Sequence, residues 1–241
     1  MPELSISVMH APFSLQRREM LARLLGLLER EHGLFVGPGL IMDHERAGPW
    51  PTARRGWIWG AAQATRWHLQ LQDDALPCRN FVAGLLAALH ALPHPEIVAP
   101  YSPRAVILKA KRSGSSWAWI PDGCAGVAIC LPHEFIEPFL DWEQKALSPD
   151  YDRNCDDSRV NLWAMETFHD VWATAPSLIE HADSNQSLIQ GGAERRARWF
   201  IGEDQSALEV DWTRGLEMPP MESPFLGFPV RHYIPRERRA L

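Results

Sequence analysis

The sequence predicts an α/β domain, a mostly parallel sheet flanked by helices with a smaller antiparallel part, and three observations predict it. Apolar strand-like runs alternate with helix-like patterns over the first hundred residues, the arrangement that gives parallel strands joined by crossover helices. Residues 105–132 carry shorter strand-like pieces instead. The chain has 241 residues, 46% of them hydrophobic, enough to bury one substantial core.

The elements follow in order. "LSISVMH" alternates apolar and polar residues as a half-buried strand does. "LQRREMLARLLGLLEREHG" places Leu21, Leu24, Leu25 and Leu28 at helical spacing and stops at Gly33. "GLIMDHE" is a short apolar run ending on Asp43, and after the "AGPWP" turn "TARRGWIWGAAQATR" reads as a helix with Thr52 as its cap. "WHLQLQ" is a third strand, running straight into Asp73 and Asp74. A helix over "CRNFVAGLLAALHALPHP" is closed by Pro93 and Pro95, and "EIVAPYS" is a fourth strand. From "AVILKAKRS" to "AICLP" short antiparallel strands are expected around a Ser/Gly loop at 113–116. "HEFIEPFLDWEQKAL" is helical, "SPDYDRNCDD" is a loop, "SRVNLWAMETF" is a helix capped by Asp156 and Asp157, and "VWATAPSLIEH" is the last strand. Beyond Gly191 no regular structure is expected.

Charge and composition narrow the function. A net charge of -6 disfavours a protein whose main task is holding nucleic acid, although Lys and Arg cluster at 109–112, at Arg195, Arg196 and Arg198, and near the C-terminus. No apolar run reaches the length of a membrane span, and the N-terminus lacks signal-peptide features, so a cytoplasmic protein is expected. The four cysteines show no metal-binding or disulfide spacing and read as free thiols. Eleven tryptophans fill cores and also offer flat faces to sugars or bases.

Two acidic pairs carry the chemistry. Adjacent carboxylates such as Asp73 and Asp74 repel unless a cation neutralises them, and a divalent metal on oxygen ligands does so. Asp73 capping a turn with Asp74 solvated accounts for the same residues. Asp156 and Asp157 open a helix, where acids are favoured for structural reasons alone. Together, though, a cation site and a separate carboxylate able to take a proton are what metal-dependent group transfer needs. Arg54 and Arg55 open a predicted helix against its dipole, a cost that a diphosphate would offset. Arg195 and its neighbours fit a lid over a phosphate or a surface charge run. Trp117 and Trp119 alternate on a strand and face one side, as an acceptor wall or as cover for the sheet.

The order of these motifs resembles a GT-A glycosyltransferase over roughly residues 4–200. The elements are a β-α-β start, Asp43 ending the second strand, "LQDD" ending the third, the Gly-rich "GCAGVA", "CDD" opening a helix, and "PSLIEH". "LQDD" is similar to the "LEDD" of the lipooligosaccharide and collagen galactosyltransferase group; it departs from Asp-x-Asp in carrying Gln72 as the first residue. The resemblance implies a catalytic domain over 1–200 with a Rossmann-like sheet, its donor half about 1–105 and its acceptor half about 106–200, and a C-terminal extension over 201–241. It implies a nucleotide-diphosphate sugar donor, a UDP-sugar such as UDP-glucose, bound by His10, Ala11, Pro12 and Asp43. Asp74 with Asp73 and His181 would hold Mn2+ or Mg2+, and Asp157 or Asp156 would be the base of an inverting transfer. Short chains of this type are familiar among phages, so a hydroxymethylated pyrimidine in DNA joins glycan or protein as an implied acceptor. A carbohydrate-binding module would explain the tryptophans without either acidic pair, and a nucleotidyltransferase would want a glycine-bearing loop where "MHAPFSLQR" stands.

Overall fold

The computed structural model describes residues 2–121, 123–147, 156–182 and 196–216. Its centre is a seven-stranded mixed sheet in the order β2-β1-β3-β7-β5-β8-β6. β1 (Leu4–His10), β2 (Phe35–Met42), β3 (Trp67–Gln72), β5 (Ile97–Ala99) and β8 (Val171–Thr174) run one way; β7 (Ala128–Pro132) and β6 (Trp117–Trp119) run against them. A separate antiparallel pair joins β4 (Ala75–Pro77) to β9 (Ile179–His181).

Alternation along the strands divides the core between the two faces of the sheet. Leu4, Ile6 and Val8 of β1 and Trp67, Leu69 and Leu71 of β3 meet Leu21, Leu24 and Leu28 of α1 (Leu15–Glu29) and Phe81, Leu85 and Leu89 of α3 (Phe81–Ala91). Met9, Ile97, Ala99, Ile129 and Ala173 face α2 (Pro49–Ala61), α4 (Val106–Ser113), α5 (His133–Ala146) and α6 (Asp157–Thr167). The polar positions of β1 are buried as well. Ser5 and Ser7 meet His68 of β3 at 2.9 and 3.0 Å from its two ring nitrogens. Burial, with His133 adding to it, drives the His68 pKa down to about 3, so this histidine is a neutral core residue beneath α2. Half-exposure is what alternation predicts; complete cover by α2 is what the structure has.

Several expectations from the sequence are corrected. Residues 106–113 are helical, because Ile107 and Ala110 share one buried face while Lys109, Lys111 and Arg112 point to solvent, and Gly114 ends the helix in the left-handed region. Helix α2 starts at Pro49 with Gly48 as its N-cap, so Thr52 lies inside it and donates its hydroxyl to the Gly48 carbonyl. "VWATAPSLIEH" forms two strands in different sheets, since the chain turns at Ala175–Ser177 and β9 crosses to β4. Within residues 201–216, Ala207 packs in the α3 core and Trp212 is buried against Trp117. Cys78, Cys124 and Cys130 are buried free thiols, as expected, and Cys155 lies outside the described residues. Among the described residues no helix is long and apolar enough to cross a membrane.

Candidate functional site

Sheet topology brings the first acidic pair and its partners together. β3 ends at Gln72, the chain turns through Asp73 and Asp74, and β4 pairs with β9 so that Ala75 lies opposite His181. The Ala182 amide donates to the Asp74 carbonyl at 2.8 Å, which locks the two loops. β1 lies beside β3, so His10 and Ala11 leave the sheet at the same end. His10 Nδ1 lies 2.7 Å from Asp73 Oδ2, and the Ala11 amide donates to that oxygen at 3.1 Å. His181 Nε2 lies 2.9 Å from Asp74 Oδ2.

Arg17, in the first turn of α1, completes the cluster, and sequence reasoning missed it. Its Nη1 donates to Asp73 Oδ1 at 2.7 Å and also contacts Asp74 Oδ2. Burial alone would raise the Asp74 pKa, but the His181 hydrogen bond and the Arg17 charge outweigh it and hold the carboxyl below its ordinary value. Asp74 is therefore ionised at neutral pH. The clue in the sequence was a basic residue in a first helical turn with no acid beside it, which is unfavourable to the helix dipole.

The second acidic pair has the opposite environment. Asp156 stands at the N-cap position of α6 but its side chain makes no capping bond; burial, then the charge of Asp157, push its pKa up to about 7. Asp157 Oδ2 accepts the Gly126 amide at 3.2 Å, and a Cβ on Gly126 would lie 2.7 Å from Asp156 Oδ1, so the glycine of "GCAGVA" is what lets this backbone approach the acids. Gln72 links the two pairs. It precedes Asp73, its amide nitrogen bonds to the Val127 carbonyl at 3.0 Å, and its side chain reaches Asp156 Oδ2 at 3.5 Å.

The other expected residues are placed as follows. Asp43 lies beside the end of β1, its amide donating to the His10 carbonyl, and its carboxylate accepts the Ala47 and Gly48 amides at 2.8 and 3.2 Å, shaping the entry to α2. Pro12 accepts the Arg18 guanidinium on its carbonyl. Arg54 and Arg55 do not open a helix, since α2 begins at Pro49; Arg54 pairs with Glu143 of α5 at 3.6 Å and Arg55 donates to the Met42 carbonyl at 2.8 Å, so both join α2 to its neighbours. Trp117 is buried and donates to the Trp212 carbonyl; Trp119 is half-buried and donates to Asp170. Both border a cavity of about 100 Å3 with Trp172 and Lys109. Arg195 lies outside the described residues, while Arg198 donates to the Pro103 carbonyl at 3.0 Å.

No family model and no curated protein sequence matches the chain. Among solved structures, it is similar to the protein A197 from STIV at 12% identity and a TM-score of 0.44, over 77% of this chain and 88% of that one. A Drosophila β-1,4-galactosyltransferase 7 mutant, in complex with manganese, UDP-Gal and xylobiose, aligns at 11% identity and a TM-score of 0.41, covering 75% of this chain and 72% of that one. A glycosyltransferase involved in glycosylation of the major capsid of PBCV-1 aligns at 13% identity and a TM-score of 0.33, covering 59% and 68%. These are distant likenesses of shape.

Proposed function

We propose that the chain is a metal-dependent, inverting glycosyltransferase that moves a sugar from a nucleotide-diphosphate sugar to an acceptor hydroxyl. One observation carries this reading. Two carboxylate pairs stand at one end of the sheet, joined through Gln72, in opposite surroundings: Arg17 and His181 meet Asp74 and hold its carboxyl below the ordinary range, while burial beside Asp157 pushes Asp156 up to about 7. Such divergence separates a charge-holding role from a proton-transferring one.

Asp73, Asp74 and His181 would hold Mn2+ or Mg2+. Two carboxylates and an imidazole suit such a cation. Asp74 Oδ1 is buried without a hydrogen-bond partner, so coordinating capacity is present there, and His181 faces Asp74 with Nε2. Among the described residues no group of three or more His, Cys, Asp or Glu is set to hold a metal as it stands, and Arg17 takes up the space between the two carboxylates. When bound, such a cation supplies charge to a departing diphosphate.

The chain's own residues do the rest. The Asp156–Asp157 pair accepts the proton of the acceptor hydroxyl as its oxygen bonds to the anomeric carbon. The bond from that carbon to the diphosphate breaks on the opposite side, and the configuration inverts. A carboxylate titrating near the working pH is well matched to this role. Ala11 and Pro12, held by Asp73 and Arg18, form the wall next to the sugar nucleotide, with Asp43 behind them.

A polyanionic acceptor such as hydroxymethylated DNA has one observation in its favour. Lys111 Nζ lies 5.1 Å from the Trp199 ring, which joins the exposed cluster at 109–112 to exposed Arg196 and Arg198 on one surface. A glycan or protein acceptor would instead use the tryptophan-lined cavity. The test is a thermal-shift screen of the full chain against UDP, GDP, CDP and UDP-sugars with and without Mn2+, followed by nucleoside diphosphate release. Stabilisation by one nucleotide, with release of its diphosphate abolished in Asp156→Asn, is expected. Absence of any nucleotide-dependent shift would end the proposal.

A further inference from the structure

We propose that Arg17 is a resident counter-cation that occupies the place of the divalent ion between Asp73 and Asp74 and must swing out when that ion binds. The inference rests on reading these acids as the cation site. A single nitrogen, Nη1, bridges Asp73 Oδ1 and Asp74 Oδ2, as one ion shared by two monodentate carboxylates would. Imidazoles flank the two carboxylates, His10 on the other oxygen of Asp73, Oδ2, and His181 on Asp74 Oδ2.

Arg17 is also the removable member. The Asp73 and Asp74 side chains are 4% and 1% exposed, whereas the Arg17 side chain is 14% exposed, so the guanidinium closes the acids off from solvent. It enters from the first turn of α1 and reaches Asp73 and Asp74 through a flexible side chain, on a helix whose first turn carries no acid. There the helix dipole opposes a cation, and the two carboxylates offset that opposition. A guanidinium and a divalent ion repel at such separation in a buried setting, so the two states exclude each other. The buried and unpartnered Asp74 Oδ1 is capacity that a divalent ion would use and that Arg17 leaves unused. The device keeps two adjacent buried carboxylates compatible with folding before the ion arrives, and it lowers the apparent affinity for the ion by the fraction of chains in which Arg17 remains in place.

The test is titration of the full chain with Mn2+ in the absence of nucleotide, following the electron paramagnetic resonance signal of free Mn2+. Arg17→Ala is expected to bind at least about tenfold more tightly than the unsubstituted chain, because the competing state is removed. Arg17→Gln, whose amide still hydrogen-bonds the carboxylates, should move the same way and serves if Arg17→Ala does not fold. Arg17→Lys keeps the charge and should stay close to the unsubstituted chain. Adding Asp74→Asn to Arg17→Gln should remove the site. Equal or weaker binding in Arg17→Ala and Arg17→Gln, or no Mn2+ binding by any of the chains, would overturn the proposal. UDP-sugar binding, read by thermal shift on the same samples, separates this outcome from the fate of the transferase reading. A loss of nucleotide binding with the Arg17 effect intact would sink only the transferase.

Discussion

The two acidic pairs look alike in sequence and behave oppositely in the fold. Asp73–Asp74 follows a central strand and is met by Arg17, His10 and His181, so charge is compensated in place. Asp156–Asp157 opens a helix, where the favourable dipole, a backbone amide from Gly126 and the Gln72 side chain meet it, while burial works against its charge. The difference shows that an acid pair takes its chemistry from what the topology brings opposite to it. A strand end gathers side chains from neighbouring loops, and a buried helix start offers mainly backbone.

The comparison is broken most severely at Asp156. If it is the base, Asp156→Asn should lower the rate of nucleoside diphosphate release from the donor by about 100- to 10,000-fold, the usual contribution of proton transfer. The protein should remain folded, since an amide at that buried position carries no charge to desolvate. Retention of turnover within a few-fold would remove Asp156 from the reaction.

Next in size is the loss of Arg17. Removing one partner of a buried charged cluster leaves the others uncompensated, at a cost of about 3–5 kcal/mol. For a chain of this length that corresponds to a fall in Tm of roughly 6–20 °C, measured without divalent ions. Mn2+ should restore part of the loss in Arg17→Ala. The same substitution should leave the pH dependence set by Asp156 unchanged.

The pairs should also pull stability in opposite directions with pH. Asp74 has a native pKa below its ordinary 3.8, so its contribution is present above that value and lost as pH falls through the native pKa. Asp156 has a native pKa near 7 against the same ordinary 3.8, so its contribution is present below 3.8 and lost as pH rises towards 7. At pH 8, thermal melts of Asp156→Asn should therefore lie above those of the unsubstituted chain, and melts of Asp74→Asn below. Matching shifts of one sign in both variants would contradict the assigned environments.

Much of the frame was legible because the strand and helix periods of the first hundred residues are clean: Leu4, Ile6 and Val8 on one strand face, Leu21, Leu24 and Leu28 on one helix stripe. "AVILKAKRS" misled because a short apolar run has no unambiguous period, and only the burial of Ile107 with Ala110 decides for a helix. Within the site, Asp73, Asp74, His10 and His181 were nameable from the order of motifs, and the structure brings them into contact. Arg17 was not, although the dipole argument applies to it and fails for Arg54 and Arg55, which lie past the first turn of α2. Those two arginines are engaged by Glu143 and the Met42 carbonyl instead. A one-dimensional argument identifies a charge in need of a partner; which partner arrives depends on which strand end the helix lies against. Gln72 was legible only as a departure from a pattern, and its reach to Asp156 required the register of β3 against β7, in which Leu71 faces Ala128.

The smallest expected effects are the most discriminating, because two neighbours of Asp156 move its proton affinity in opposite directions. Asp157 raises it by adjacent charge, and the Gln72 amide lowers it by favouring the ionised form. The acid limb of donor turnover, expected near pH 7, should then shift to lower pH in Asp157→Asn and to higher pH in Gln72→Leu, each by a fraction of a unit up to about one unit. In Asp157→Asn the limb should still lie above the ordinary carboxylate range, since burial is the larger cause and the substitution leaves it in place. An identical limb in both variants would place the titrating group elsewhere. A limb that moved the same way in both would mean that Gln72 acts on Asp73 and the cation site, to which it is directly joined in the chain, and not on the base.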